Sequence, residues 1–250
     1  MKTSKRVLLL GPGESSQRFR TSDLDKITTI SFSGNIDWLA ENNVHANYWT
    51  FLDPNSTLYV LDNINNKKYS SEWVEELKTK TKLLYNDFIG KDEFYNQGYT
   101  TSRGKQWNKD VFGSQILHTL DNNIFAGSEI VDQVVNKNTY DSYYTEPNKC
   151  PLVVHTGYDP QGRKLNTDKF VCFLLPLVLT HFPNLQEIYS VGFGDFHAPR
   201  VNTGHSLGYE AYQISFNLMK YKAIEMLKHK GITIKFINED SYYKELEWKK

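Results

Sequence analysis

The residues best equipped for chemistry in this chain stand where apolar runs end. Gly11, Gly13 and Ser15 follow directly on 7–10, a run made only of valine and leucine. A buried strand that turns sharply through two glycines lets the main chain approach an anion closely. Amide N–H groups of such a turn, or of a following helix, can then hold phosphate oxygens. The turn lacks the Gly-Lys-Ser/Thr of a Walker loop and the third glycine of a dinucleotide fingerprint, so a plain strand-to-helix connection explains it equally well.

Three further constellations share that placement. Ser31, Phe32, Ser33, Gly34 and Asn35 close the second β-rich run, where a polar group is well placed to read a base or a sugar. Asp53, Pro54 and Asn55 close the third, and ordinary turn chemistry explains them more readily than binding does. The fourth runs Val191, Gly192, Phe193, Gly194, Asp195, Phe196 and His197, with His205 beyond it. An aspartate after a strand-ending glycine accepts hydrogen bonds from hydroxyls. A histidine near a helix start can take or give a proton at neutral pH, although a loop histidine is as often a hydrogen-bonded surface residue. His197 and His205 have no third ligand at a recognisable spacing, so a metal reading is set aside and the metal-ligand set is empty. No Gly-x-Ser-x-Gly elbow, His-Glu-x-x-His pair or kinase signature set is present.

Positioning these residues requires a particular order of elements. Short apolar runs at 6–10, 28–32, 48–52, 187–193 and 232–237 read as strands, the first buried on both faces of a parallel sheet. Residues 35–43 carry Ile36, Leu39 and Ala40 at helical spacing, and 71–82 and 208–230 also read as helices. Gly231, just after Lys228 and Lys230, gives the last helix its stop. Residues 168–181 are too long for a strand and read as a buried helix, with Pro176 either kinking it or marking a later start. Runs at 83–88 and 124–130 are candidate strands, order returns at 151–154, and 91–107 and 136–149 read as long polar loops. The strand, helix, strand rhythm predicts right-handed crossovers on a doubly wound sheet.

Composition narrows the partners. Lys plus Arg and Asp plus Glu are both 29, so no general attraction to nucleic acid or to an anionic membrane is expected. Cys150 and Cys172 are too few for a disulfide framework, which fits a reducing compartment. The apolar runs are far shorter than a signal-peptide core or a membrane span, so a cytoplasmic location without a transmembrane segment is expected.

Taken together, the order of these pieces resembles the bacterial sialyltransferases that act on lipooligosaccharide, and the related group that includes archaeal 6-hydroxymethylpterin diphosphokinases. The likeness rests on the strand with Gly11 to Ser15 and the second strand ending in Asn35. Near the other end it rests on the apolar helix, the strand leading into Gly194, Asp195 and Phe196, the loop with His205, a helix, and a strand finishing at Asn238. It covers the two ends of the chain and leaves the middle unaccounted for. It implies an α/β, Rossmann-like, doubly wound, mostly parallel sheet with helices on both faces. The chain would be a single domain over 1–250, with 59–149 as a variable insertion or lid.

The resemblance also implies roles. Gly11, Gly13, Ser15 and Asn35 would lie beside a nucleotide-sugar donor, plausibly linked through cytidine monophosphate. Thr167 and Asp168 would begin the helix that faces it, and His205 would be the general base that deprotonates a glycan acceptor hydroxyl. Where those enzymes place phosphate-binding tyrosines after Gly-x-Asp-Phe, this chain has His197 and then Arg200, whose guanidinium would serve as the phosphate clamp. The family's Gly-Asn-Gly turn is Gly-Pro-Gly here. No cofactor is required on that branch. The diphosphokinase branch would need magnesium, with Asp53 and Asp195 as the carboxylates available. A non-catalytic nucleotide-binding domain is the third expectation, and the acceptor, the linkage and the oligomeric state are left open.

Overall fold

A computed structural model describes residues 4–11, 13, 16, 26–51, 55–86, 123–131, 155–158, 164–166, 169–193 and 223–237. Its centre is a sheet of parallel strands built from the apolar runs. These are β1 (Arg6–Leu10), β2 (Thr28–Phe32), β3 (Tyr48–Thr50), β4 (Lys82–Asn86), β5 (Ser128–Val131), β8 (Glu187–Val191) and β9 (Thr233–Ile237). Between β5 and β8, the short strands β6 (His155–Tyr158) and β7 (Lys164–Asn166) form a separate antiparallel pair.

The order across the large sheet is β5-β4-β3-β2-β1-β8-β9, and every pairing in it is parallel. From β1 the chain steps outward strand by strand to β5. It then returns to the other side of β1 as β8 and continues to β9. The direction of winding therefore reverses between β1 and β8, which register as Val7 with Ile188 through Leu10 with Val191. This is a Rossmann-like α/β fold, as expected.

Alternation along each strand assigns its two faces. Phe32 and Tyr48 point to one side, where Tyr48 meets Phe182 at 5.9 Å and Phe32 meets Phe193 at 5.9 Å. That side is covered by the helical segment 169–181, whose Phe170 also reaches Phe236 on β9 at 5.8 Å. On the other side Ser31 bonds Asn35, which ends a 3-10 turn (Ser33–Asn35) leading into α1 (Ile36–Glu41). Helices α2 (Asn55–Asn65) and α3 (Ser71–Lys80) occupy the crossover between β3 and β4. Trp49, Phe51, Trp73 and Leu77 are fully buried, so the end of β3 and α3 both place large apolar side chains in the core. Among the described residues no helix is long and apolar enough to cross a membrane.

Several local expectations are refined. The helix expected over 71–82 ends at Lys80, and Lys82 already begins β4. Ser70 caps α3, its hydroxyl accepting from the Trp73 N–H at 3.2 Å. The strand expected over 124–130 is shorter and later, Ser128–Val131, with Ile124 and Phe125 buried ahead of it. The apolar helix is π-helical over Lys169–Leu174 and α-helical in α4 (Leu175–His181). Pro176 falls in the first turn of the α-helical part, where its missing N–H is least disruptive. Of the long helix expected over 208–230, only 223–230 are described, and 223–228 are helical.

Candidate functional site

In open α/β sheets, ligands bind outside the carboxyl ends of the strands at the point where strand order reverses. Here that point joins the turn after β1 to the end of β8, and the two backbones meet in close contact. The Gly11 N–H donates to Val191 O at 2.8 Å, and the Gly13 N–H donates to Gly192 O at 2.8 Å. A Cβ added at Gly11 would stand 2.5 Å from Gly192 O and 2.8 Å from the Phe193 ring. One added at Gly192 would run into the Gly11 carbonyl, on a residue whose φ of +73° already favours glycine. Gly11 is thus required by the neighbouring strand, whether or not an anion approaches it.

A second set of bonds reaches the turn from β2. Asn35, only 2% exposed, donates through Nδ2 to Gly11 O at 2.8 Å and to Ser16 Oγ at 3.0 Å. Its Oδ1 accepts from the Ser31 hydroxyl at 3.3 Å. The Ser16 hydroxyl donates to Gly13 O at 2.6 Å, and the Ser16 N–H reaches the same oxygen at 3.2 Å. The turn is therefore held from both sides, by β8 through main chain and by Asn35 through a buried amide.

This geometry limits what the turn can offer an anion. Across 11–16 the N–H groups of Gly11, Gly13 and Ser16 are engaged, and Pro12 has none. At most the amides of Glu14 and Ser15 are left for a ligand. Both hydrogens of the Asn35 amide are engaged as well.

Beside the turn, Ser33 closes β2 with φ of +52°, a left-handed conformation that costs a non-glycine residue about 1 kcal/mol. Two bonds hold it there. Its carbonyl accepts from Trp49 Nε1 at 2.9 Å, and its hydroxyl lies 2.8 Å from that of Ser56 in the first turn of α2. The carboxyl ends of β2 and β3 are thereby tied together.

Below them is a polar hub that local sequence reasoning misses. Asp37 on α1 is 1% exposed and accepts from the Tyr59 hydroxyl, from the Tyr69 hydroxyl at 2.6 Å, from Lys68 Nζ at 2.7 Å and from Asn63 Nδ2 at 3.2 Å. Burial, reinforced by the bond to this carboxylate, raises both tyrosine pKa values. Burial works against the Lys68 ammonium, but its bonds to Asp37 and Tyr59 outweigh that and raise its pKa. The hub joins α1 to α2 and keeps Ser33 opposite Ser56.

Of the residues expected at the site, Gly11, Gly13 and Asn35 come together at the reversal point. Ser15, Asp53, Thr167, Asp168, Asp195, Arg200 and His205 lie outside the described residues. Ser16 and Asp37 are not among the expected site residues, and Gly192 is expected only as part of the strand-end constellation. Gly192 carried a signal as the strand-ending glycine, whereas Asp37 has partners 22 to 32 positions away and no local signal. Compared with protein-family models, with curated proteins and with solved structures, the chain matches none of them.

Proposed function

We propose that this chain is a sialyltransferase-like glycosyltransferase that moves a sugar from a donor bearing a single nucleotide phosphate, of the cytidine monophosphate type, to a glycan hydroxyl. The observation that carries this reading is the count of donors at the reversal point. With at most two amides free across 11–16, the turn suits one phosphoryl group better than the phosphate chain of a nucleoside triphosphate.

In this reading Ser15 and the amides at 14 and 15 take the donor phosphate, and Arg200 adds a bidentate cation. Gly13 lets the turn come close to the ligand. The acceptor hydroxyl is a poor nucleophile until its proton is removed, and His205, titrating near neutrality, accepts it. Asp195, four residues beyond β8 in the sequence, holds a sugar hydroxyl by accepting its hydrogen bond. The leaving phosphate gains charge as the glycosidic bond breaks, and donors already in place stabilise it without reorganisation.

Thermal unfolding with added nucleotides tests the reading. Cytidine monophosphate without metal should raise the melting temperature, by an amount equivalent to about 2.7 kcal/mol at one hundred times its Kd. Stabilisation by ATP that requires magnesium would instead favour the pyrophosphoryl transferase, with Asp53 and Asp195 as its carboxylates. His205→Ala should lower transferase turnover by about 10² or more if the imidazole is the base. Unchanged function in that variant, with cytidine nucleotides still bound, would leave a non-catalytic binding domain.

A further inference from the structure

We infer that Asn35 is a positioning residue: it does not touch the ligand but sets the shape of the glycine turn before any ligand arrives. The inference rests on the proposed site for its ligand arm only. The side chain is buried, and one Nδ2 hydrogen fixes the carbonyl that ends β1 while the other fixes the hydroxyl that closes the turn at Ser16. Ser31, from the neighbouring strand, holds the amide oxygen and so sets which way the amide faces. A carboxylate would fail here, because it has no hydrogen to give Gly11 O. The Asn35 bonds are the cross-tie between the start of α1 and the 11–16 turn. Through Gly13 that turn is in turn fastened to Gly192.

The test uses Asn35→Asp, which keeps the volume and loses the donors, with Ser16→Ala as a second variant that spares β2. Hydrogen exchange is followed at single amides over a range of pH, against the wild type at each pH. At neutral pH, Asn35→Asp should speed exchange at Gly13 and Ser16 by about tenfold, the effect of losing a buried hydrogen bond. Leu8, Leu9 and Ile188 should stay as in the wild type. As the pH falls and the new carboxyl group protonates, it regains one hydrogen to donate, and protection at the turn should return in part. Ser16→Ala should loosen the same amides without that recovery. Wild-type exchange at Gly13 and Ser16 in both variants would overturn the inference, as would faster exchange spread equally through β1 and β8.

Cytidine monophosphate titrated in parallel should bind Asn35→Asp more weakly at neutral pH and recover in acid relative to the wild type. If the wild type ignores cytidine monophosphate while the turn amides respond as described, the donor assignment fails and the positioning role stands. If the wild type binds it and Asn35→Asp binds equally well at neutral pH, the positioning role fails and the donor assignment stands.

Discussion

The two rims of the sheet are built from different materials. At the carboxyl rim, glycine, serine and asparagine bond to main chain and to one another over short distances, and shape decides what fits: Gly11 against Gly192, Asn35 against Gly11 and Ser16, Ser33 against Ser56. At the amino rim, long charged and aromatic side chains meet. Glu129 lies 3.0 Å from both Lys82 Nζ and His181 Nε2, Tyr48 sets its ring edge-on to His181, and Arg6 faces Glu187 at 3.9 Å. His45 stacks on Trp73 and lies 3.6 Å from Glu76. Short buried bonds fix a geometry to a fraction of an ångström, whereas half-exposed ion pairs tolerate rearrangement and contribute little. The carboxyl rim is therefore expected to be sensitive to volume, and the amino rim to pH and salt.

Breaking the contrast at its strongest point means adding one carbon at the carboxyl rim. Gly192→Ala meets backbone on one side and an unfavourable φ on the other. It should cost about 3 kcal/mol, seen as a lower denaturant midpoint with an unchanged slope. A loss below about 0.5 kcal/mol would mean that the two backbones part easily.

At the amino rim pH should act instead. Burial leads the causes that lower the His45 pKa, ahead of the opposing bond to Trp73 O. The unfolded chain thus binds a proton at higher pH than the folded one. The stabilisation from keeping this ring neutral is complete above the ordinary value of 6.5 and is lost as pH falls from there through the lowered folded value. His45→Gln should flatten that part of the stability profile, and a profile identical to wild type would remove His45 as its cause. The smallest effect is expected for Lys82→Met, since the Lys82 side chain is 44% exposed. The loss should stay below about 1 kcal/mol and shrink further in high salt.

Much of this was readable in the chain because parallel strands buried on both faces announce themselves. The runs at 6–10 and 28–32 are mostly apolar or β-branched, the run at 187–193 carries Ile188, Tyr189, Val191 and Phe193, and each appears as a strand within two residues of its expected limits. Helix α2 was not readable. Its sequence, Asn55–Asn65, is crowded with asparagine, and the Asp53-Pro54 pair before it reads as a turn, although proline also suits the start of a helix. The pair β6 and β7 was missed too, since Gly157 and the polar residues around it give no clear alternation. At the site, Asn35 was picked out for its place at a strand end, but its inward direction was not, because it depends on Ser16 and Ser31 finding it in three dimensions. A buried amide looks the same in a sequence as an exposed one.

Beside β2, the interior strand β1 has β8 as its other neighbour, more than 170 positions further along the chain. During synthesis the amino-terminal half can stack β1 through β5 in sequence order while β1 remains an open edge. Only when the ribosome has released β8 does that edge close and the crevice come into being. A nascent chain stopped short of it would expose an unfinished sheet to passing strands and invite aggregation, so the two sides of the reversal point can find each other only late in synthesis.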